Sequence, residues 1–216
     1  MVNTQRGEPM PNKTIRRTIG RFDAPASQLS GILLGLAAKC LDTVAVDGSW
    51  RTIVLHHLAD LFTRAGIWAL IAILIAAFSK TMARAAVNTF LFFAGMLLGY
   101  YAYSARLFGF FPMTCFLYWG AVALLSPAGA AVVWLAKHDA RLAWVLPALP
   151  AGVLLDFALG FDVYRPFSIW LAYPEELVMY AVACAVFYRT PRQLAVFSAL
   201  SLAAAILLDW LVPFHF

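Results

Sequence analysis

Four ionisable residues stand inside long apolar stretches of the sequence: Lys39, Asp42, Asp156 and Asp209. A charge at the centre of a membrane-spanning helix costs roughly 2.5–3.5 kcal/mol, and less near the end of the helix. Such residues are rare in membrane segments, where they pair with one another, line the path of a solute or relay protons. The four residues therefore predict a polar site within a bundle of membrane helices.

The spacing of these residues indicates which helix face carries them. Steps of three and four residues place Ser27, Gly31, Gly35, Lys39 and Asp42 on one helical stripe. Small residues allow close helix approach, and the polar residues then face the bundle interior. For the glycines alone, plain helix packing is the simpler interpretation. Three later segments repeat this pattern of small and polar residues. The first contains Asn88, Gly95, Gly99 and Arg106, the second contains Ala148, Gly152 and Asp156, and the third contains Ser198, Ala205 and Asp209.

The depths of the four charges also agree. Counted from the predicted cytoplasmic ends, all four lie ~18–22 Å along their helices, which places them in the outer third of the membrane. Further charged residues are predicted at or just above this level: Arg106, Arg165, Glu175 and Glu176. Together with Asn88, these residues form the predicted ligand-binding chamber, open to the outside. The alternative is that the late acids are helix-end residues near the lipid headgroups.

A metal site is a weaker hypothesis. His56, His57 and Asp60 lie within one turn of a helix, but no fourth ligand is evident. An interfacial helix over residues 53–62 explains the same residues better. Three separated cysteines in apolar stretches favour buried small side chains over disulfides. We therefore predict no metal and no cofactor, and these patterns single out no residue as catalytic.

The composition defines the elements that must position these residues. The chain has 216 residues, of which 63% are hydrophobic and 12% are charged, and its mean hydropathy is +0.79. A soluble domain carries about twice that share of charged residues. Apolar stretches of spanning length separate the charged groups. The fold class predicted is all-α, a polytopic transmembrane helix bundle, with a basic cytoplasmic tail at residues 1–26 and one transmembrane domain at 27–216.

Seven spans are predicted, with the N-terminus inside and the C-terminus outside. Their ranges are 27–46, 62–79, 85–105, 113–136, 142–160, 175–188 and 194–212. The inner segments hold eleven Lys and Arg residues and the outer segments four, as expected if positive loops stay in the cytoplasm. If the first segment only lies on the membrane, six spans remain and the tail must be outside.

Two resemblances accompany this topology. The segments from Gly31 through Lys39 to Asp42, and from Asn88 to Tyr101, resemble those of small bacterial multi-span membrane families of unknown function. In size and outward polarity, the chain resembles the substrate-binding membrane subunits of energy-coupling-factor vitamin importers. That resemblance implies solute binding, although those subunits usually have six spans with both ends inside.

Three functions are compatible with these sequence patterns. The converging charges favour binding or translocation of a small solute in the bacterial cytoplasmic membrane. The short loops also fit a non-catalytic subunit of a larger membrane complex. The third possibility is an intramembrane enzyme that uses the outer carboxylates as general acid or base. The expected partners are the lipid bilayer, a small solute and, if the chain is a subunit, another membrane protein. No basic patch interleaved with exposed aromatic residues indicates nucleic acid.

Overall fold

A computed structural model describes residues 23–43, 48–109, 113–161 and 169–211. Within these ranges the chain forms eight α-helices, so the predicted all-α class is confirmed. A 3-10 turn spans Leu142–Trp144, and the short strands β1 (Leu159–Phe161) and β2 (Ile169–Leu171) pair antiparallel. The helices are α1 Ala24–Asp42, α2 Trp50–Thr63, α3 Ala65–Ala77, α4 Met82–Phe108, α5 Met113–His138, α6 Ala148–Ala158, α7 Pro174–Phe187 and α8 Pro191–Leu211.

Four of these helices are long and apolar enough to cross a membrane: α1, α4, α5 and α8. The pair α2 and α3 passes the same test as one segment, but it bends by 65°. The predicted fifth span is interrupted, since Pro147 precedes α6 and leaves only eleven helical residues after the 3-10 turn. The sixth corresponds to α7, which has 14 residues. The count of seven crossings stays a prediction.

Helices α1 and α4 pack through four glycines. A Cβ atom added to Gly31 or Gly35 would overlap the backbone of α4, and one added to Gly95 or Gly99 would overlap the backbone of α1. The contact is therefore backbone against backbone, which only glycine permits. The prediction that Gly95 and Gly99 face another helix closely is confirmed. We call this contact the glycine seam.

The order of contacts in the glycine seam shows that α1 and α4 run parallel. Gly31 meets Phe92, and Gly35, one turn later, meets Met96. Because α1 and α4 point the same way, the chain between them must return along the bundle. Helix α3 makes that return.

Helix α3 is the centre of the bundle. It packs against α4, α5, α6 and α7, and six of its 13 residues are buried, among them Trp68 and Ile75. It is only about 20 Å long, which is shorter than the hydrocarbon core. Its packing against four other helices means that protein, rather than lipid, covers much of its surface.

Three turns of the chain meet at one end of the bundle, which we call the basic end. Trp134 at the end of α5 donates from its indole N–H to the Ser79 carbonyl after α3, at 3.1 Å. Gln193 in α8 donates to the Ala143 carbonyl in the 3-10 turn, at 2.7 Å. The basic residues of this end are Lys80, Arg84, Lys137, Arg141, Arg189 and Arg192.

The other end, which we call the opposite end, contains the break between α2 and α3, the β1–β2 pair and the N-terminus of α7. The predicted helix over 53–62 is present as α2, although its position at a membrane surface stays a prediction. The domain boundary predicted at residue 26 lies inside α1, because that helix begins at Ala24. Residues 1–22 of the predicted tail lie outside the described residues.

Candidate functional site

A cavity of about 570 Å³ lies near the opposite end, between α1, α4, α5 and the α2–α3 break. Because Lys39 and Asp42 stand in its wall, we call it the lysine cavity. Most of its remaining lining is aromatic or carries a hydroxyl or thiol group. These residues include Thr63, Trp68, Tyr100, Tyr101, Ser104, Cys115 and Trp119.

The charged pair of the lysine cavity is bound to a tyrosine of the neighbouring helix. The Lys39 ammonium lies 3.4 Å from the Asp42 carboxylate, one turn further along α1. The Tyr100 hydroxyl on α4 donates to the same carboxylate at 2.9 Å, and the ammonium lies 4.9 Å from the centre of the Tyr100 ring. The side chains of Lys39 and Asp42 are 13% and 25% exposed, so a molecule in the cavity has access to both signs of charge.

The aromatic side of the lysine cavity is fixed by the helix break. Trp68, in the first turns of α3, is buried and donates from its indole N–H to the Phe62 carbonyl of α2 at 2.8 Å. Its ring meets Phe62 edge-on, with 5.7 Å between centroids. These contacts fix Trp68 as a rigid apolar part of the cavity wall.

A second cluster of charges lies at the break itself. We call it the break cluster and define it as Arg64, Gly66, Tyr173, Glu175 and Glu176. Arg64 lies between α2 and α3, 3.4 Å from the half-exposed Glu175 carboxylate, and its guanidinium stacks 4.0 Å from the centre of the Tyr173 ring. These contacts fasten the start of α7 to the break.

Glu175 and Glu176 occupy different environments although they are adjacent. Glu176 is fully buried, and neither of its carboxyl oxygens has a hydrogen-bond partner among the described residues. Its carboxyl group rests against Gly66, where any Cβ would overlap it. The paired glutamates therefore divide into one exposed ion-pair partner and one buried acid.

The structure does not bring all four predicted charges into the lysine cavity. Asp156 and Asp209 lie on α6 and α8, which pack against each other, whereas α1 packs chiefly against α4. The close approach of α6 and α8 occurs at Gly152, where a Cβ would meet the Ala204 side chain at 2.8 Å. Asp156 and Asp209 therefore belong to another part of the opposite end.

Several other predicted site residues also lie elsewhere. Asn88 is buried near the basic end, where its amide lies 3.4 Å from the Ser79 hydroxyl, so its inclusion in the chamber was wrong. Twelve residues of α4 separate it from Tyr100, a distance of ~18 Å. Arg106 is exposed in the last turn of α4 and does not line the cavity. Arg165 lies outside the described residues.

The weak metal hypothesis gains little from the geometry. His56 lies 3.8 Å from Asp60 on the exposed side of α2. In residues 23–43, 48–109, 113–161 and 169–211, no three His, Cys, Asp or Glu side chains lie close enough together to hold an ion.

Sequence reasoning missed the neutral half of the lysine cavity. Tyr100 directly follows Gly99 on the third predicted span, and Trp68 lies in the second predicted span. The high aromatic content of the third span was a signal for the first of these. The helix predicted over 53–62 and the span predicted from residue 62 implied a break near Arg64, but nothing in the sequence indicated that Trp68 and Tyr100 would line one cavity.

Long apolar helices and a bundle held by a glycine seam define the chain as a helical membrane protein. It belongs to a family of unknown function, DUF6518, which matches residues 29–213. The prediction of a family without a known function is therefore confirmed. No curated protein and no solved structure matches the chain.

Proposed function

We propose that this protein binds a small solute in the lysine cavity, as a receptor for that solute or as part of its path across the membrane. The observation that carries the proposal is the lining of the cavity, where one ammonium, one carboxylate and several aromatic rings surround about 570 Å³. Binding sites for small molecules have this size and this mixture of apolar walls with a few polar groups.

The lining also favours one chemical class of solute. Lys39 and Asp42 offer opposite charges 3.4 Å apart, and Tyr100 adds a hydroxyl group beside them. The half-buried rings of Phe62 and Trp119, together with the buried Trp68 and Tyr101, also line the cavity. A small zwitterion that carries an aromatic ring complements both parts, since its charges meet Lys39 and Asp42 while its ring stacks on the wall.

The proposed setting is the bacterial cytoplasmic membrane, crossed seven times with the basic end in the cytoplasm. Basic residues collect in cytoplasmic loops, and six Lys and Arg residues adjoin the turns of the basic end. In this orientation the lysine cavity lies toward the outside. The three short crossings are α3, α6 and α7, which the longer helices support.

The test of solute binding compares two tyrosines of α4. Tyr100 lines the lysine cavity and bonds to Asp42, whereas Tyr103 does not line it. The small molecules retained by the detergent-purified protein are measured by mass spectrometry, and free aromatic amino acids are added as probes in a thermal-shift assay. We expect Tyr100→Phe to lose retention or weaken binding about tenfold, equal to about 1.4 kcal/mol.

The matched control is Tyr103→Phe, which removes the same hydroxyl group from the same helix and should bind as the wild type does. Equal behaviour of the two variants would contradict the proposed position of the solute.

The orientation is tested separately by single-cysteine labelling in cells, after Cys40, Cys115 and Cys184 are replaced by serine. Lys80 and His138 are exposed at the basic end, and Trp170 is half-exposed at the opposite end. A membrane-impermeant reagent added outside should label cysteine at position 170 and miss positions 80 and 138. Labelling at position 138 would reverse the proposed orientation.

A further inference from the structure

The buried carboxyl group of Glu176 has no function in the solute site described above. It does not line the lysine cavity, and it is fully buried in the first turn of α7. Neither oxygen has a hydrogen-bond partner in the described part of the chain. An ionised carboxylate without any donor carries the full penalty of desolvation, whereas a protonated carboxyl group carries much less.

The Glu176 carboxyl group occupies a space at the start of α3 that a glycine leaves open. Gly66 lies in the first turn of α3, directly after the 65° bend, and only its missing side chain leaves room for Glu176. The first N–H groups of a helix have no partners within the helix, and their dipoles attract negative charge. Even so, no hydrogen bond joins them to Glu176.

Arg64 is a cationic group near Gly66 with which an ionised Glu176 would pair. Arg64 lies at the break, where it already holds Glu175 at 3.4 Å, and His57 on α2 lies near that glutamate. From α6 and α8, which also pack on α7, Asp156 and Asp209 are the titratable groups at this end. Lys137 of α5 lies at the other end of α7, where it bonds to the Val186 carbonyl.

We propose that Glu176 is a proton-binding site at the α2–α3 break. The carboxyl group is protonated while it rests against Gly66. When its O–H bond breaks, the electron pair remains on the oxygen, the proton passes to water at the opposite end, and the carboxylate moves toward Arg64. The ligand of this site is the proton itself. Proton binding holds the start of α7 against the start of α3.

The break connects this proton site to the lysine cavity. Trp68 lies two residues after Gly66, lines the cavity and bonds to Phe62 across the break. Movement of Glu176 away from Gly66 therefore changes the wall against which a solute rests, so that proton and solute influence each other's binding. This last consequence rests on the proposed solute binding, whereas the proton site itself does not.

The first test uses infrared difference spectra of the full chain in lipid nanodiscs as the pH is changed. We expect the carbonyl stretch of a buried protonated carboxyl group in the wild type, its loss in Glu176→Gln and its retention in Glu175→Gln. Glu175 is the matched control because it is the adjacent glutamate and is half-exposed. An unchanged spectrum in Glu176→Gln would overturn the proposal.

The second test needs no variant, so a folding defect cannot obscure it. An apolar carbodiimide reacts with protonated carboxyl groups that it reaches from the lipid phase, and mass spectrometry then locates the adduct. We expect the adduct on Glu176 near neutral pH, its loss at high pH and none on Glu175. An adduct on Glu175 rather than Glu176, or an adduct on Glu176 that persists at high pH, would refute the proton site, whatever the outcome of the solute assays. Labelling at Glu176 in a chain that binds no solute would refute only the proposed solute binding.

Discussion

Two buried polar side chains, one in the first turn of α7 and one in α8 just beyond the end of α7, differ in their hydrogen bonding. Glu176, in α7, is fully buried and Gln193, in α8, is 1% exposed. The Gln193 amide donates to the carbonyls of Ala143 and Phe187 at 2.7 and 3.2 Å, and its oxygen accepts from the Arg189 amide at 3.1 Å. Glu176 has no such partner in the described residues.

Gln193 is a polar group that stabilises the fold, whereas Glu176 is a polar group without a stabilising hydrogen bond in the described residues. Gln193 joins the 3-10 turn, α7 and α8 by satisfying backbone groups that would otherwise be orphaned, so its bonds stabilise one arrangement. Glu176 makes no hydrogen bond that would stabilise one arrangement of the helices. Its burial favours the neutral carboxyl group over the carboxylate, because the neutral form costs less to desolvate. We therefore expect the basic end to be fixed and the opposite end to move.

The largest effect is expected from a change in the glycine seam. Both ends of the bundle depend on it, because α4 packs against α3, which runs between the two ends. Replacing Gly99 with leucine inserts a side chain where even a Cβ overlaps the Ile32 carbonyl. The helices must separate, and we expect loss of most of the folded protein in detergent, measured by size-exclusion chromatography.

The matched control for that change is Gly120→Leu on α5, where an added Cβ meets no atom within 4 Å. It should give wild-type yield. A wild-type yield of Gly99→Leu would mean that the seam does not carry the fold, and the rigid frame assumed for both ends would be lost.

A reciprocal exchange tests the comparison directly. Gln193→Glu turns the nitrogen that bonds two carbonyls into an oxygen that repels them, and we expect a loss of about 2–4 kcal/mol in the free energy of unfolding. Glu176→Gln exchanges one neutral, unbonded group for another and should change it by less than about 1 kcal/mol. Unfolding in mixed micelles measures both. Equal losses would show that Glu176, like Gln193, is bonded into the structure.

Sequence patterns predicted the frame better than the site. The stripe from Ser27 to Asp42 and the glycines at positions 95 and 99 were sufficient to predict which faces of α1 and α4 are buried, because helical periodicity is a local property. The fifth predicted span was less accurate. Its prolines were visible in the sequence, but whether the chain kinks or breaks there depends on packing against α8.

The site depends on which helices are neighbours, and the sequence contains no direct record of that. Lys39 and Asp42 were found because charges are costly in apolar stretches. Their partner Tyr100 was not found, since a tyrosine is unremarkable in a membrane helix. Depth alone grouped Asp156 and Asp209 with them, but equal depth on different helices does not imply contact, and α6 and α8 form their own pair.

The charged pair of the lysine cavity should be less costly to break than the Gln193 bonds. Lys39→Ala leaves Asp42 with the Tyr100 hydroxyl as a partner, and both charged side chains are partly exposed. We expect a loss of about 1–2 kcal/mol, most of which is recovered in Lys39→Ala/Asp42→Asn because no unpaired charge remains. Thermal unfolding of both variants measures this, with Lys80→Ala at the exposed basic end as the control. A double variant less stable than the single one would contradict the pairing.

The smallest effect concerns a charge outside the helices, at the basic end. The backbone amides of Leu142 and Arg141 donate to the Asp139 carboxylate at 3.1 and 2.7 Å, and these bonds hold its pKa below the usual range. Because the pKa is lowered in the folded state, the stabilisation is complete above the unfolded value of about 3.9 and is lost as the pH falls through the folded value. Asp139→Asn keeps an acceptor but cannot titrate. We expect the thermal midpoint of the wild type to exceed that of Asp139→Asn slightly at pH 7, and this difference to disappear as the pH falls through the lowered folded-state pKa of Asp139. A difference that persists in acid would mean that hydrogen bonding to the charged form does not stabilise the turn, and the basic end would then owe its rigidity to Gln193 and its neighbours alone.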